Sequence, residues 1–331
     1  MLILTTTVLE LTNYFIKLTY PVLLFFFYKR FIKNRDDVIG VLTVFLYSCL
    51  VIFGWYIYDF SQNLMDQRFV TSFGDTTNYG FYSNFAVIIA FYYFLRRKEK
   101  VPGQFKITIP KIFILLIIAG VILWSIRHIT SIFVFVSSLL LFALYLSRKD
   151  LKPLFFILII FIGFSQVFGN VFYSDVMEER ISKELEVIQG DRGQTQALHG
   201  RASRWTTLFQ KYNEAGVVSK FFGYPFSGKP GLEMVGITPH NDFLRILFFT
   251  GIIGLLLFLA FLLGLLVRIK ILYWSDRFLA YAILALYCLY SVTTLPTFYP
   301  GVSNMIFVVF AFIALPKKIH GNEIEKSLNY R

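Results

Sequence analysis

Residues 240–269 read HNDFLRILFFTGIIGLLLFLAFLLGLLVRI. The part from Leu247 to Leu265 is almost entirely apolar, and about 20 such residues are what an α-helix needs to cross the hydrocarbon core of a bilayer. A polar loop precedes it and ends with Thr238-Pro239-His240-Asn241. We therefore predict a membrane-spanning helix over 242–267, with a histidine at the point where the polar loop becomes the helix.

The rest of the chain has the composition of a membrane protein. Of its 331 residues, 56% are hydrophobic and 19% aromatic, which is more apolar side chain than a soluble domain of this size can bury. Similar apolar stretches recur along the chain, so we predict an all-α polytopic membrane protein with about nine transmembrane helices. The predicted spans are 3–28, 38–60, 74–95, 108–125, 129–147, 153–172, 242–267, 276–295 and 301–316.

The formal net charge of +12 does not call for a nucleic-acid partner, because the basic residues fall in short clusters beside apolar segments. This is the positive-inside pattern of cytoplasmic loops. Nine spans place every cluster on one side only if the N-terminus is outside. The clusters are Lys29-Arg30-Lys33-Arg35, Arg96-Arg97-Lys98-Lys100, Arg148-Lys149-Lys152, Arg268-Lys270 and Lys317-Lys318.

This topology predicts three parts within one integrated domain: N-terminal membrane helices in 1–172, a large outer loop in 173–241, and membrane helices with a short cytoplasmic tail in 242–331. Two amphipathic helices are predicted in the outer loop, one over 177–188 and one over 205–212 that ends near Gly216. We expect both to lie at the outer membrane–water interface. A tight outer turn at Ser125-Ile126-Arg127-His128 separates two short spans and keeps Arg127 out of the lipid.

His240 is the first candidate for chemistry. With Thr238 as the helix N-cap and a proline near the first helical position, His240 is predicted in the first turn of the helix. The positive end of the helix dipole disfavours imidazolium there, and a general base must be a neutral imidazole. The simpler alternative is an interfacial histidine that only hydrogen-bonds lipid headgroups or loop carbonyls.

Arg127, Arg201 and Arg204 are predicted on the same outer side, where positive charge near the spans is otherwise scarce. A guanidinium fork suits bidentate contact with phosphate, so one arginine at a helix turn and another in the loop are candidates to bind a pyrophosphate. Each is also explained by contact with headgroups or by pairing with Glu or Asp. Arg68 and Asn78 are candidates for a sugar-binding rim, although helix capping by Asp75 or Asn78 is the simpler interpretation.

No metal or cofactor site is predicted. The four histidines show no paired spacing, and both cysteines lie inside apolar segments, so neither a metal site nor a disulfide framework is indicated. A glycine-rich nucleotide cradle is also absent from the sequence. An enzyme built this way needs a donor that is already activated, and arginines in place of a metal to stabilise the leaving group.

Several short motifs occur in a characteristic order between residues 65 and 316. They are Arg68 to Asn78, Ser125-Ile126-Arg127, Gly200-Arg201 with Trp205 and a later Phe222-Gly223, and His240-Asn241 opening a helix with Gly251-Ile252-Ile253-Gly254. In this order and spacing the chain resembles the superfamily of O-antigen ligases and Wzy-type polysaccharide polymerases. The Ser-x-Arg motif departs from the family's adjacent Ser-Arg by one extra residue.

The resemblance implies a metal-independent glycosyltransferase of GT-C-like architecture in the bacterial inner membrane, with its active site facing the periplasm. Its donor would be an oligosaccharide on undecaprenyl pyrophosphate, and its acceptor a glycan or lipid A-core. Its other partners would be the surrounding membrane lipids and a chain-length regulator. Arg127 and Arg201 would bind the pyrophosphate and His240 would be the general base, with Arg204, Asn241, Arg68 and Asn78 in substrate binding. Polymerisation is the leading expectation, ligation the alternative and a lipid-linked oligosaccharide flippase a less favoured third.

Overall fold

The computed structural model describes residues 2–62, 76–97, 107–147, 201–223 and 240–316, and the single residues 182, 186, 187 and 189. All regular secondary structure within these residues is helical. In chain order the helices are α1 (Leu2–Phe31), α2 (Arg35–Ser61), α3 (Thr77–Leu95), α4 (Ile109–Ile126), α5 (Ile129–Leu146), α6 (Arg201–Glu214), α7 (Val217–Phe222), α8 (Asp242–Ile269), α9 (Trp274–Thr293), a short 3-10 turn (Pro296–Phe298) and α10 (Pro300–Ile313).

The chain is a helical membrane protein. Four of the described helices, α2, α4, α5 and α8, are long and apolar enough to cross a membrane, and α10 is a shorter apolar helix. Eight of the predicted spans fall on a described helix, with boundaries that agree within a few residues. The span predicted at 153–172 and most of the amphipathic helix predicted at 177–188 lie outside the described residues.

Two compact units make up the chain. The first unit comprises Met1–Thr19, Leu158–Leu263 and Ser291–Phe298. The second comprises Tyr20–Ile157, Gly264–Tyr290 and Tyr299–Arg331. The helices α1, α8 and α9 each begin in one unit and end in the other.

In the second unit, α3 lies at the centre and packs against α2, α4, α5 and α10. Sixteen of its 19 residues are buried. Its sequence contains no charged residue but several tyrosines and asparagines, so it is less apolar than its neighbours. A helix surrounded by protein on all sides can carry such polar groups because neighbouring side chains, rather than lipid, accept their hydrogen bonds.

Two members of the predicted basic clusters are buried in this unit rather than exposed in loops. Arg35 Nε lies 2.9 Å from a carboxylate oxygen of Asp276, and the Arg35 Nη2 donates to Ser275 at 2.8 Å. Tyr92 donates its hydroxyl proton to Asp276 at 2.7 Å and accepts from Arg96, which is 1% exposed. These contacts hold together one end of α2, one end of α3 and one end of α9. Some of the basic residues in the clusters therefore stabilise the packing of the helices.

The first unit is organised around a break in α8. Gly251 has φ +67° and ψ −172°, so the helical backbone is interrupted between Thr250 and Ile252. Gly223, directly after α7, also has a positive φ of +75°. These values lie in a region that side-chain-bearing residues rarely adopt, and glycine adopts them without steric cost.

Each of these two glycines lies against the backbone of the segment that contains the other. A Cβ atom on Gly223 would overlap the carbonyl group of Phe249, and a Cβ on Gly251 would overlap that of Phe221. The end of α7 is therefore seated directly on the break in α8. Two glycine motifs that are 28 positions apart in the sequence serve a single contact.

The helix α6 is held to the same place by aromatic and polar contacts. The ring of Tyr212 packs edge-to-face on Phe248 of α8, with centroids 6.1 Å apart. The Tyr212 hydroxyl donates to the carbonyl oxygen of Lys220 in α7 at 2.8 Å, and partial burial raises the pKa of this hydroxyl above its ordinary value. Leu208 is completely buried. The amphipathic helix predicted at 205–212 is confirmed, whereas α7 was not predicted.

Candidate functional site

His240 lies immediately outside α8 rather than in its first turn. The helix begins at Asp242, and Asn241 is the N-cap, because its Oδ1 accepts the backbone N–H of Leu244 at 3.1 Å. The prediction that His240 lies within the helix is therefore wrong, and Thr238, the predicted N-cap, lies outside the described residues. Asn241 is an equally good capping residue and competes for the same role.

The backbone of His240 is left-handed, with φ +45°, and its side chain is exposed. A non-glycine residue in this conformation is uncommon and costs about 1–2 kcal/mol. Asn241, by contrast, is 8% exposed and buried as the cap. The turn thus leaves the imidazole of His240 exposed, while Asn241 is held at the start of α8 as its cap.

A buried charged network fixes the start of α8. Asp242 is completely buried and accepts hydrogen bonds from the backbone N–H of Thr297 at 3.0 Å and from the Thr297 hydroxyl at 2.7 Å. Arg245 Nε donates to Asp242 at 3.0 Å, and its Nη2 donates to the Thr297 hydroxyl. Asn241 Nδ2 makes a longer contact with the carbonyl oxygen of Val292 at 3.4 Å. Val292 at the end of α9 and Thr297 in the following 3-10 turn therefore hold the turn that carries His240.

Sequence reasoning missed Asp242, Arg245 and Thr297. The signal was an aspartate and an arginine three positions apart at the start of an otherwise apolar helix. Residues at this spacing lie on one face and pair readily, and ionisable side chains at the edge of a membrane helix are costly unless they are paired. Thr297 has no comparable sequence signal, because its partners lie 52 and 55 positions away.

We expect Thr297→Val to lower the stability of the protein by about 1–3 kcal/mol, since the hydroxyl that links Asp242 to Arg245 is replaced by a methyl group of similar size. Thermal unfolding in detergent measures this change. The matched control is Thr250→Val. The Thr250 hydroxyl donates to the carbonyl oxygen of Ile246 in the same helix at 2.7 Å, and that carbonyl is also available to the helix backbone. Equal melting temperatures for the two variants would contradict a structural role for the Thr297 hydroxyl.

The candidate arginines of the outer loop lie at the start of α6. Arg201 is its first residue and is half-buried, and Arg204, one turn later, is exposed. Trp205 is half-buried beside them. The helix α6 contacts α7 and α8. Both arginines belong to the same compact unit as His240 and Asn241.

Arg127 occupies the turn between α4 and α5, as predicted. It follows the last residue of α4, has φ +49° and is exposed. His128, the next residue, is buried and caps α5: its Nδ1 lies 2.7 Å from the Ser131 hydroxyl and 3.3 Å from the Ser131 backbone nitrogen. The turn thus repeats the pattern at α8, with an exposed left-handed residue followed by a buried cap.

A chain of buried polar groups continues inward from this cap. The Ser131 hydroxyl lies 2.7 Å from that of Tyr290, and Asn84 Nδ2 donates to the Ser131 carbonyl at 2.9 Å. A Cβ on Gly80 would overlap the Ser131 hydroxyl, which is why α3 and α5 can approach so closely. The Ser125 hydroxyl just before the turn lies 2.7 Å from that of Tyr56. None of these residues was singled out from the sequence except Ser125.

The segment from Arg68 to Asn78, with its candidates for a sugar-binding rim, is only partly described. Asn78 lies in the first turn of α3 and is half-exposed, and Thr76 occupies the N-cap position, where its side chain accepts no capping hydrogen bond from the helix backbone. Capping by Asn78 is therefore wrong. Asp75 and Arg68 lie outside the described residues.

The structure thus divides the candidate residues between the two units. His240, Asn241, Arg201 and Arg204 belong to the first unit, and Arg127 and Asn78 to the second. Within the described ranges, no three or more His, Cys, Asp and Glu side chains are grouped to hold a metal ion. No protein-family model matches the chain, and no curated protein matches it either. The roles of these residues therefore stay predictions.

Proposed function

We propose that this protein is a metal-independent glycosyltransferase of the bacterial inner membrane that polymerises a surface polysaccharide. The donor is an oligosaccharide linked to undecaprenyl pyrophosphate, and the acceptor is a hydroxyl group of a second glycan. The reaction takes place at the periplasmic surface, and the proposed products are O-antigen, capsule or exopolysaccharide chains.

One observation carries this proposal: the contact between the segment Phe221–Gly223 and the segment Phe249–Gly251. It joins α7 to α8, the membrane helix that His240 precedes, and Tyr212 links α6, the helix that bears Arg201 and Arg204, to both of them. A cationic loop element and an exposed imidazole are thereby held in one compact unit at the end of an apolar helix. This combination suits a substrate that is both anionic and anchored in lipid.

The proposed reaction is a displacement at the anomeric carbon of the donor. His240 removes the proton of the acceptor hydroxyl as its oxygen forms a bond to that carbon. The bond from the anomeric carbon to the pyrophosphate oxygen breaks, and undecaprenyl pyrophosphate leaves with both electrons. Arginine side chains stabilise the charge that develops on the leaving group, and this stabilisation is larger in the transition state than in the ground state.

Arg127 is proposed to contact the pyrophosphate with both arms of its guanidinium group. We expect Arg127→Lys to lower the rate about 10–100-fold, because lysine keeps the charge but loses one of two charge-assisted hydrogen bonds. The rate of lipid-linked polymer formation by purified protein measures this. Lys111→Arg near the other end of α4 is the control and should be neutral. An unchanged rate in Arg127→Lys would indicate an arginine that only contacts headgroups.

Ligation to lipid A-core is the alternative, since it uses the same donor and the same leaving group. Incubation of the purified protein with undecaprenyl-pyrophosphate repeat units alone separates the two. A ladder of longer lipid-linked products supports polymerisation. Absence of reaction until lipid A-core is added supports ligation, and absence of reaction in both cases contradicts a transferase.

A flippase or other transporter is less favoured because of where the charges lie. Transporters of lipid-linked substrates place ionisable residues near the bilayer midplane. In the described membrane helices after α1, charged residues occur only near helix ends: Arg35, Asp36, Asp37, Asp59, Lys111, Asp242, Arg245, Arg268, Asp276 and Arg277. The long central parts of these helices carry none.

A further inference from the structure

The short helix α7 has an inverted distribution of polar and apolar side chains. Its serine and lysine, Ser219 and Lys220, are only partly exposed. Its four apolar side chains are between 48% and 73% exposed, at Val217, Val218, Phe221 and Phe222. A helix on a water-facing surface has the opposite distribution. The outward face of α7 therefore matches an apolar medium rather than water.

The position of α7 along α8 identifies this medium. Between Gly251 and Arg268, α8 carries no charged residue, and at 1.5 Å per residue this part is about 26 Å long. That is close to the ~30 Å thickness of the hydrocarbon core of a bilayer. With Arg268 at one surface of the core, Gly251 lies near the other surface. Because α7 is seated on Gly251, it lies at that surface too.

The charge of the surrounding segment fits the same location. Residues 201–223 contain four basic residues and one acidic residue, which gives a net charge of +3. Basic residues beside an exposed apolar face are typical of helices that lie in the plane of a membrane surface, where they contact anionic headgroups. The basic residues are Arg201, Arg204, Lys211 and Lys220, and the acidic one is Glu214.

We propose that α7 inserts its outward face, Val217, Val218, Phe221 and Phe222, into the acyl-chain layer of the bilayer surface beside α8. The contact between the segments Phe221–Gly223 and Phe249–Gly251 sets the depth of insertion, because a Cβ atom on either glycine would overlap the backbone of the other segment. This inference does not depend on the proposed glycosyltransferase activity and holds or fails independently of it.

The test places an environment-sensitive fluorescent probe on α7 in the full-length protein. The native Cys49 and Cys288 are replaced by alanine, and Val218→Cys is labelled and reconstituted in vesicles of phosphatidylcholine and phosphatidylglycerol. Asn213→Cys, on an exposed polar position of α6, is the matched control. We expect several-fold stronger quenching by nitroxide-labelled acyl chains at position 218 than at 213, and the reverse order with aqueous iodide.

Three outcomes would overturn the proposal. Equal accessibility of positions 218 and 213 to iodide would place α7 in water. A loss of acyl-chain quenching when undecaprenyl pyrophosphate is added would assign the surface to the polyprenyl chain of a substrate. Protection that vanishes when the protein is diluted in lipid would assign it to a second copy of the chain. Val217→Cys provides a second reporter, and size-exclusion chromatography confirms that each labelled protein is folded.

Discussion

Replacement of His240 by alanine is expected to lower the rate of glycan transfer by about 10²–10⁴-fold, the usual contribution of a positioned general base. The protein should still insert and fold, because His240 lies outside α8 and its side chain is exposed. The measurement is the initial rate of lipid-linked polymer formation by purified protein, normalised to the amount that elutes as a monodisperse species.

The controls separate loss of a base from loss of local structure. His320→Ala removes a histidine in the C-terminal tail and should leave the rate unchanged. His240→Gln keeps a polar side chain of similar length but no base of comparable strength, and should be as inactive as alanine. Full-length polymer made by His240→Ala would falsify the assignment of His240 as the base.

Gly251→Val is expected to destabilise the folded protein by about 2–5 kcal/mol. Valine at a positive φ costs about 1–2 kcal/mol of backbone strain, and its Cβ overlaps the carbonyl group of Phe221, which adds about 1–3 kcal/mol for overpacking. Because the obstructing atoms are backbone atoms, they cannot move aside as a flexible side chain can. The contact between α7 and α8 should be the first part of the structure to be lost.

Melting temperature in detergent and protease sensitivity of the α6–α7 segment measure this effect. Gly264→Ala, in the same helix, is the matched control: a Cβ there meets no atom within 4 Å, and alanine favours the helix by about 1 kcal/mol over glycine. Gly223→Val should reproduce the effect of Gly251→Val from the opposite side of the contact. If Gly251→Val melted like Gly264→Ala, the backbone-to-backbone contact would not exist in the folded protein.

The membrane helices could be predicted from the sequence because hydropathy is a local property. Apolar runs located α2, α4, α5 and α8 within a few residues, and the requirement to keep Arg127 out of lipid located the turn between α4 and α5. Predictions of which one of several neighbouring residues caps a helix were less accurate. Thr238, Asn241 and Asp242 are all acceptable capping residues, and the choice of Asn241 depends on the contacts of Asp242 with Thr297, 55 positions away.

The basic residues illustrate the same limit. From the sequence, Arg35 and Arg96 are indistinguishable from the lysines and arginines of a cytoplasmic loop. The structure buries both in a network with Asp276 and Tyr92, although Asp276 is 241 positions from Arg35. A single sequence contains no signal for such a pairing, because either residue could instead reach water at the membrane surface.

By itself, the sequence determined that this is a helical membrane protein, where its apolar spans lie, and which polar residues stand at their ends. Hydropathy, helical spacing and charge depend only on near neighbours, so they can be interpreted without a fold. Only the tertiary structure decided that the segment ending at Gly223 packs against the segment ending at Gly251, that His240 lies outside the helix it precedes, and that α7 turns its valines and phenylalanines outward. Those features depend on contacts between segments distant in the chain, and they are set when the helices pack.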